Sequence, residues 1–239
     1  MNKILQIFSV ISLLFLSINT ATAWTVSKEQ KDISHLEINI DKGRELFRTC
    51  AVCHAPTGWG TPDGRYPQIA GQHQEVVIKQ LLDIRSGNRD NPTMYPFTTR
   101  KVLKTEQQIA DISAYIEALP MNTHNETGPG IDIEYGKKLY QDHCADCHGE
   151  SGEGDAHSTY PRVHGQHYHY LVRQLLWIQN GRRRNANDDM LKRIHDYGMR
   201  EITSLSDYIS RLPVPDKLKA KTDWVNPDFS INFRSRTSQ

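Results

Sequence analysis

The apolar positions of the chain recur at helical spacing in several separate stretches. Val77, Leu81 and Ile84 form one such run, and Leu171, Leu175 and Ile178 form another; each predicts a middle helix that stops at a glycine, Gly87 or Gly181. Ile109, Ile112, Ile116 and Leu119 predict a later helix that ends at Pro120, with Thr105 and Gln108 resembling a capping box at its start. Ile202, Leu205, Ile209 and Leu212, followed by Pro213, answer it. Short helices carrying Leu46 and Phe47, and Leu139 and Tyr140, lie upstream, and Asp41 is placed to cap the first of them. No stretch reads as a strand, so the pattern predicts an all-α protein.

These elements come in pairs because the chain contains one unit twice. Sliding the sequence by 94 positions brings Tyr66-Pro67 onto Tyr160-Pro161, Gly71-Gln72-His73 onto Gly165-Gln166-His167, and Gln80-Leu81-Leu82 onto Gln174-Leu175-Leu176. Ile84, Gly87 and Arg89 fall on Ile178, Gly181 and Arg183. A repeat of this length means two copies of one domain. They are expected at residues 41–120 and 134–213, joined by a linker at 121–133 in which Asn122, Asn125, Gly128, Pro129 and Gly130 break any regular pattern. Residues 24–40 form an N-terminal extension. Residues 214–239 form a tail with Trp224, Phe229 and Phe233, either packed across the domains or left as a loose terminus.

The first 23 residues read as a signal peptide: Lys3 gives the positive start, Ile4 to Ile18 the apolar run, and Ala21-Thr22-Ala23 the cleavage site, with cutting after Ala23. No later stretch is apolar enough to cross a bilayer, so no membrane span is expected after cleavage. Charge is nearly balanced, with Lys+Arg 29 against Asp+Glu 28, which leaves nucleic-acid binding without an electrostatic footprint.

The chemistry lies in the four cysteines. Cys50-Ala51-Val52-Cys53-His54 returns 94 residues later as Cys144-Ala145-Asp146-Cys147-His148. Two cysteines three apart, followed at once by histidine, let both sulfurs form thioethers to haem vinyl groups while the imidazole reaches the iron. A pair of thioredoxin-like motifs or a four-cysteine zinc site would leave both histidines unexplained. The spacing therefore predicts two covalently bound haem c groups. In bacteria such attachment takes place outside the cytoplasmic membrane, which with the signal peptide points to the periplasm.

A haem that only carries electrons needs a sixth ligand, and methionine is the usual partner of histidine. Met94 is the one methionine between the first motif and its last helix. The second copy offers Met190, in a polar loop after Asn185, Asn187, Asp188 and Asp189, and Met199, opposite Glu106 in the first turn of the last helix; the position favours Met190. His157, His164 and His169 occur only in the second copy and leave a bis-histidine site open there. His73 and His167 share a repeat position and read as structural or as neighbours of a haem propionate.

At this point the residues resemble a known family, the diheme cytochromes c of the cytochrome c4 type, built from two tandem class I cytochrome c domains. The resemblance covers roughly residues 41 to 213 and rests on the haem motifs, the Tyr-Pro-x-x-x-Gly-Gln-His segments, the Gln-Leu-Leu helices, the methionines, and Tyr115-Ile116 and Tyr208-Ile209. It implies His54 and Met94 on one iron, His148 and Met190 on the other, and the carbonyls of Pro67 and Pro161 accepting a bond from the ligand imidazoles. It also implies a pseudo-twofold arrangement with the propionates near the interface.

The function expected is electron transfer between redox partner proteins. Association with a membrane-bound oxidase or reductase is compatible with it, as is a place as haem subunit of a larger enzyme such as a flavocytochrome c sulfide dehydrogenase. The rival class is a diheme enzyme, a peroxidase or a thiosulfate-oxidising cytochrome, which would need an open or unusually ligated iron. Arg44, Arg48 and Arg65 surround the first motif, whereas Asp142, Asp146, Glu150, Glu153 and Asp155 crowd the second, which suggests an acidic face for a basic partner.

Overall fold

A computed structural model describes residues 27–230. The signal peptide and Phe233 lie outside the described residues. The first repeat contains α2 (Ile40–His54), α3 (Gln74–Ser86), the short α4 (Tyr95–Thr98) and α5 (Glu106–Ala118), preceded by α1 (Lys28–Ser34). The second contains α6 (Ile133–His143), α7 (Ala145–His148), α8 (Tyr168–Gln179), α9 (Asp188–Ile194) and α10 (Met199–Ser210). Among the described residues, extended pairing is confined to isolated bridges, Met121 with Lys219 and Asp155 with Tyr160.

The helix ends follow from the local chemistry, with three departures from the sequence expectation. Asn39 caps α2 through its side chain, which accepts from the Lys42 amide at 3.1 Å; Asp41 sits in the first turn and pairs with Arg44. Thr105 caps α5 by accepting from the Gln108 amide at 3.3 Å, but the Gln108 side chain reaches the Lys104 amide, one residue before the cap. Met190 lies inside a helix: Asn187 caps α9 and Asp188 and Asp189 form its acidic first turn, favourable against the helix dipole. Gly87 ends α3 in the left-handed conformation, with φ 78°.

In each domain the first and last helices cross at a glycine. A Cβ on Gly43 would stand 2.2 Å from the Asp111 carbonyl oxygen of α5, and one on Gly136 would stand 2.0 Å from the Ser204 carbonyl oxygen of α10. Only glycine allows this approach. Around the crossings the predicted apolar stripes form two cores: Phe47, Val77, Leu81, Ile109, Ile112 and Ile116 in domain 1, and Tyr140, Leu171, Leu175, Ile178, Ile202 and Leu205 in domain 2. One extra residue between Tyr140 and Cys144, compared with Phe47 to Cys50, separates α6 from α7 where α2 runs through.

The described parts of both segments outside the repeat pack on domain 1. Ile33 of α1 is buried in its core, and Gln30 donates to the Glu75 carbonyl at 3.1 Å. The described part of the tail leaves domain 2, runs beside Met121 with reciprocal backbone bonds of 2.7 and 2.9 Å, and seats Phe229 in the domain 1 core.

Candidate haem-binding sites

The first cysteine-histidine motif forms the end of α2, and the second spans the whole of the four-residue α7 with Cys144 at its cap. None of the four cysteines is in a disulfide, and burial pushes the thiols of Cys50 and Cys144 up to about 12. His54 is buried and His148 half-buried. In both, Nδ1 lies 3.0 Å from a proline carbonyl, Pro67 for His54 and Pro161 for His148. A carbonyl can only accept, so Nδ1 carries the proton and Nε2 keeps its lone pair. Burial, chiefly, lowers the pKa of each imidazole, favouring the neutral form that a metal requires.

Met94 and Met190 are half-buried against the cores of their own domains, Met94 in the same cluster as Cys50 and Met190 in the same cluster as Cys144. The Met94 amide is fixed by the Asn91 side chain at 3.2 Å. Met199 begins α10 and is 57% exposed. The second-copy histidines do not gather: His157 and His169 are exposed, while His164 is buried with Nδ1 on the Ser151 carbonyl at 3.0 Å.

The repeated Gly-Gln-His segments meet across the domain boundary. Gln72 bonds both backbone groups of Arg162, and Gln166 both backbone groups of Gln68, at distances of 2.9 to 3.1 Å. His73 Nε2 lies 2.9 Å from the Glu153 carbonyl, and His167 Nε2 lies 2.6 Å from the Trp59 carbonyl. Gln72 matches Gln166, Gln68 matches Arg162 and Trp59 matches Glu153 in the 94-residue register, so the contacts are related by pseudo-twofold symmetry. The sequence marked these residues as repeated but carried no sign that they face each other.

Beside this seam lies a polar cluster from both domains. Gln80 accepts from Arg89 at 2.7 Å and from Asn185 at 3.1 Å; Gln174 accepts from Arg89 at 3.0 Å and from Arg183 at 3.1 Å. Lys79 and Asn185 converge on Asp83 at 2.6 and 2.8 Å. Among the described residues the cluster sets three cations, Lys79, Arg89 and Arg183, against one carboxylate. Burial, and then the charge of Arg89, push Arg183 down to about 9. Excess buried positive charge calls for an anion. The charges of Arg89 and Arg183 also contribute, after burial, to the lowered pKa of His54 and His148 respectively. The propionate carboxylates of haem suit this donor set, so the residues present fit the group.

The charges flanking the motifs are mostly engaged. Arg44 pairs with Asp41 and Asp228, and Arg48 donates to the Asp228 carbonyl, so these two arginines hold the tail, while Arg65 pairs with Asp63. In domain 2, Asp142 pairs with Lys138 at 2.6 Å and Asp146 with Arg193 at 3.6 Å, while Asp155 accepts from the His157 and Ser158 amides.

Comparison with known proteins matches this arrangement. The cytochrome c sequence profile fits residues 40–120 and again 133–212. Cytochrome c4 of Azotobacter vinelandii is 29% identical over 198 residues, covering 75% of this chain and 92% of that protein. A thiosulfate dehydrogenase electron acceptor of Stutzerimonas stutzeri is 27% identical over 173 residues, covering 68% and 78%. The crystal structure of reduced cytochrome c4 from Pseudomonas stutzeri superposes with a TM-score of 0.62 at 26% identity, over 74% of this chain and all of that one.

Proposed function

Since the chain belongs to the cytochrome c family, as a diheme member of the cytochrome c4 type with one covalent haem c per domain, we propose that it carries electrons between partner proteins with both irons closed by histidine and methionine. Bound there, haem supplies a reversible one-electron change and leaves the protein to bind, orient and tune it. Cys50 and Cys53, and Cys144 and Cys147, anchor the groups. His54 and His148 would bind the irons through Nε2, the nitrogen left free by the bonds to Pro67 and Pro161, and Met94 and Met190 would supply the remaining ligands. Arg89 and Arg183 offset the propionate charge, and the Gln72 and Gln166 clasps keep the domains at one separation.

The observation that carries this reading is the histidine-to-proline bond of 3.0 Å, found in both motifs directly after a cysteine pair. Met94→Ala and Met190→Ala test it in the reduced protein. Each should open one iron to carbon monoxide, and a variant that stays closed removes that methionine from the ligand set.

The site of action is the periplasm, reached by export and cleavage after Ala23. No helix of the described residues is long and apolar enough to cross a membrane. The similarity to a thiosulfate dehydrogenase electron acceptor favours a second reading, in which the chain accepts electrons from a dehydrogenase and works as its subunit. Co-purification of a dehydrogenase with the intact chain would support it. Transfer from free donors at full rate, with no partner retained, would oppose it.

A further inference from the structure

The turn after each motif follows one path by two different means. The Gly60 amide bonds the His54 carbonyl at 3.0 Å, and the Gly154 amide bonds the His148 carbonyl at 2.7 Å. The residue right after the histidine has φ 64° and ψ 157° in domain 1, and φ 79° and ψ 161° in domain 2. That region is essentially reserved for glycine. Domain 2 places Gly149 there, but domain 1 places Ala55.

Domain 2 also pins its turn from within: the Tyr140 hydroxyl donates to the Gly149 carbonyl at 2.6 Å. In domain 1 the matching ring is Phe47. Phe47 packs on Tyr115 at 5.3 Å as Tyr140 packs on Tyr208 at 5.5 Å, but it has no hydroxyl. The group that reaches this turn comes instead from the tail, past the last residue matched by the family profile. Asn226 Nδ2 donates to the Pro56 carbonyl at 2.8 Å and to the Tyr115 hydroxyl at 3.0 Å, and Asn226 is buried. Flanking contacts hold it there: Trp224 against Trp59, Asp228 with Arg44, and Phe229 edge-on to Phe47.

We propose that Asn226 is a positioning residue for the histidine of domain 1: delivered by the tail, its amide fixes the Ala55-Pro56 turn in a conformation that alanine resists, and so keeps His54 aligned. This inference rests on the reading of His54 as a haem ligand. In domain 2 the same task is shared by a glycine and a tyrosine, and no tail is needed. The placement also accounts for Arg44 and Arg48, which anchor Asp228 beside the point of action.

The test uses the intact holoprotein and two variants, Asn226→Ala and the same change combined with Ala55→Gly. Hydrogen exchange is read by mass spectrometry over residues 54–60 and 148–154, alongside a redox titration of both haems. Loss of the buried hydrogen bond to the Pro56 carbonyl should speed exchange at Gly58 and Gly60 by about threefold to tenfold. Gly152 and Gly154 should not change, one midpoint should move, and Ala55→Gly should restore both readouts. Unchanged exchange at Gly58 and Gly60, an equal rise in both domains, or failure of Ala55→Gly to rescue would overturn the proposal and leave the ligand reading intact. A turn that loosens while both midpoints stay fixed would overturn the link between Asn226 and the alignment of His54.

Discussion

In domain 2 the residue that follows the motif histidine is glycine, and the hydroxyl that clamps the turn, on Tyr140, belongs to the same domain. In domain 1 the turn contains Ala55, and the clamp, Asn226, arrives from the far end of the chain. An alanine in this backbone region costs about 1–3 kcal/mol, which surrounding structure must offset. Domain 2 is complete in itself, whereas domain 1 borrows from its neighbour's tail. Two copies of one unit have thus kept the histidine, the proline carbonyl and the cysteines while dividing the supporting contacts differently.

The difference can be broken most forcefully at Phe229, which fills the domain 1 core at 2% exposure between Phe47 and the Arg48 guanidinium. Removing a buried aromatic ring costs about 3–5 kcal/mol. Phe229→Ala should therefore destabilise domain 1 by roughly 3 kcal/mol or more while α6 and α10 keep their amide protection. Segment-resolved hydrogen exchange under rising denaturant checks this, and equal loss in both domains would show that they unfold as one unit.

A smaller effect should restore symmetry instead of breaking it. Gln72→Ala and Gln166→Ala each remove two hydrogen bonds across the seam. Each should cost about 1–3 kcal/mol, by a similar amount for the two positions, since a backbone pair at the seam, buried at Gln68 and half-buried at Arg162, loses its partner. A large inequality, read from denaturant midpoints at constant slope, would mean that the pseudo-twofold seam is not energetically symmetric.

The smallest effect is expected at the surface. Neutralising Asp146, Glu150 and Asp155 together should leave stability within about 1 kcal/mol, because exposed charges interact weakly. It should slow transfer to a basic partner at low salt only, where screening is weak. Stopped-flow rates across ionic strength would show this, and unchanged rates at low salt would remove the acidic face from the account.

Much of the site could be read from the residues because covalent haem attachment demands a fixed spacing, and the motif at Cys50 and at Cys144 leaves little freedom. The helices were legible where apolar residues recur at three and four, as from Ile109 to Ile116 and from Ile202 to Ile209. What escaped depends on partners distant in sequence. Gln72 and His73 look like any repeated turn until Arg162 and Glu153 are seen across the seam. Asn187-Asp188-Asp189 reads as polar loop by composition, although a cap followed by acidic residues is also how a helix begins. The tail was ambiguous for a similar reason: Trp224 and Phe229 signal packing, but the surface that receives them is made by Trp59 and Phe47, in the other half of the chain.

The central claim, that both irons are closed and the protein carries electrons, is tested most directly by the optical spectrum of the reduced, purified protein before and after carbon monoxide. The account predicts no change at either haem, because it assigns Met94 and Met190 to the sixth positions. Prompt binding at one haem would reveal an open iron, contradict electron carriage as the sole role, and turn attention to peroxide chemistry at that domain.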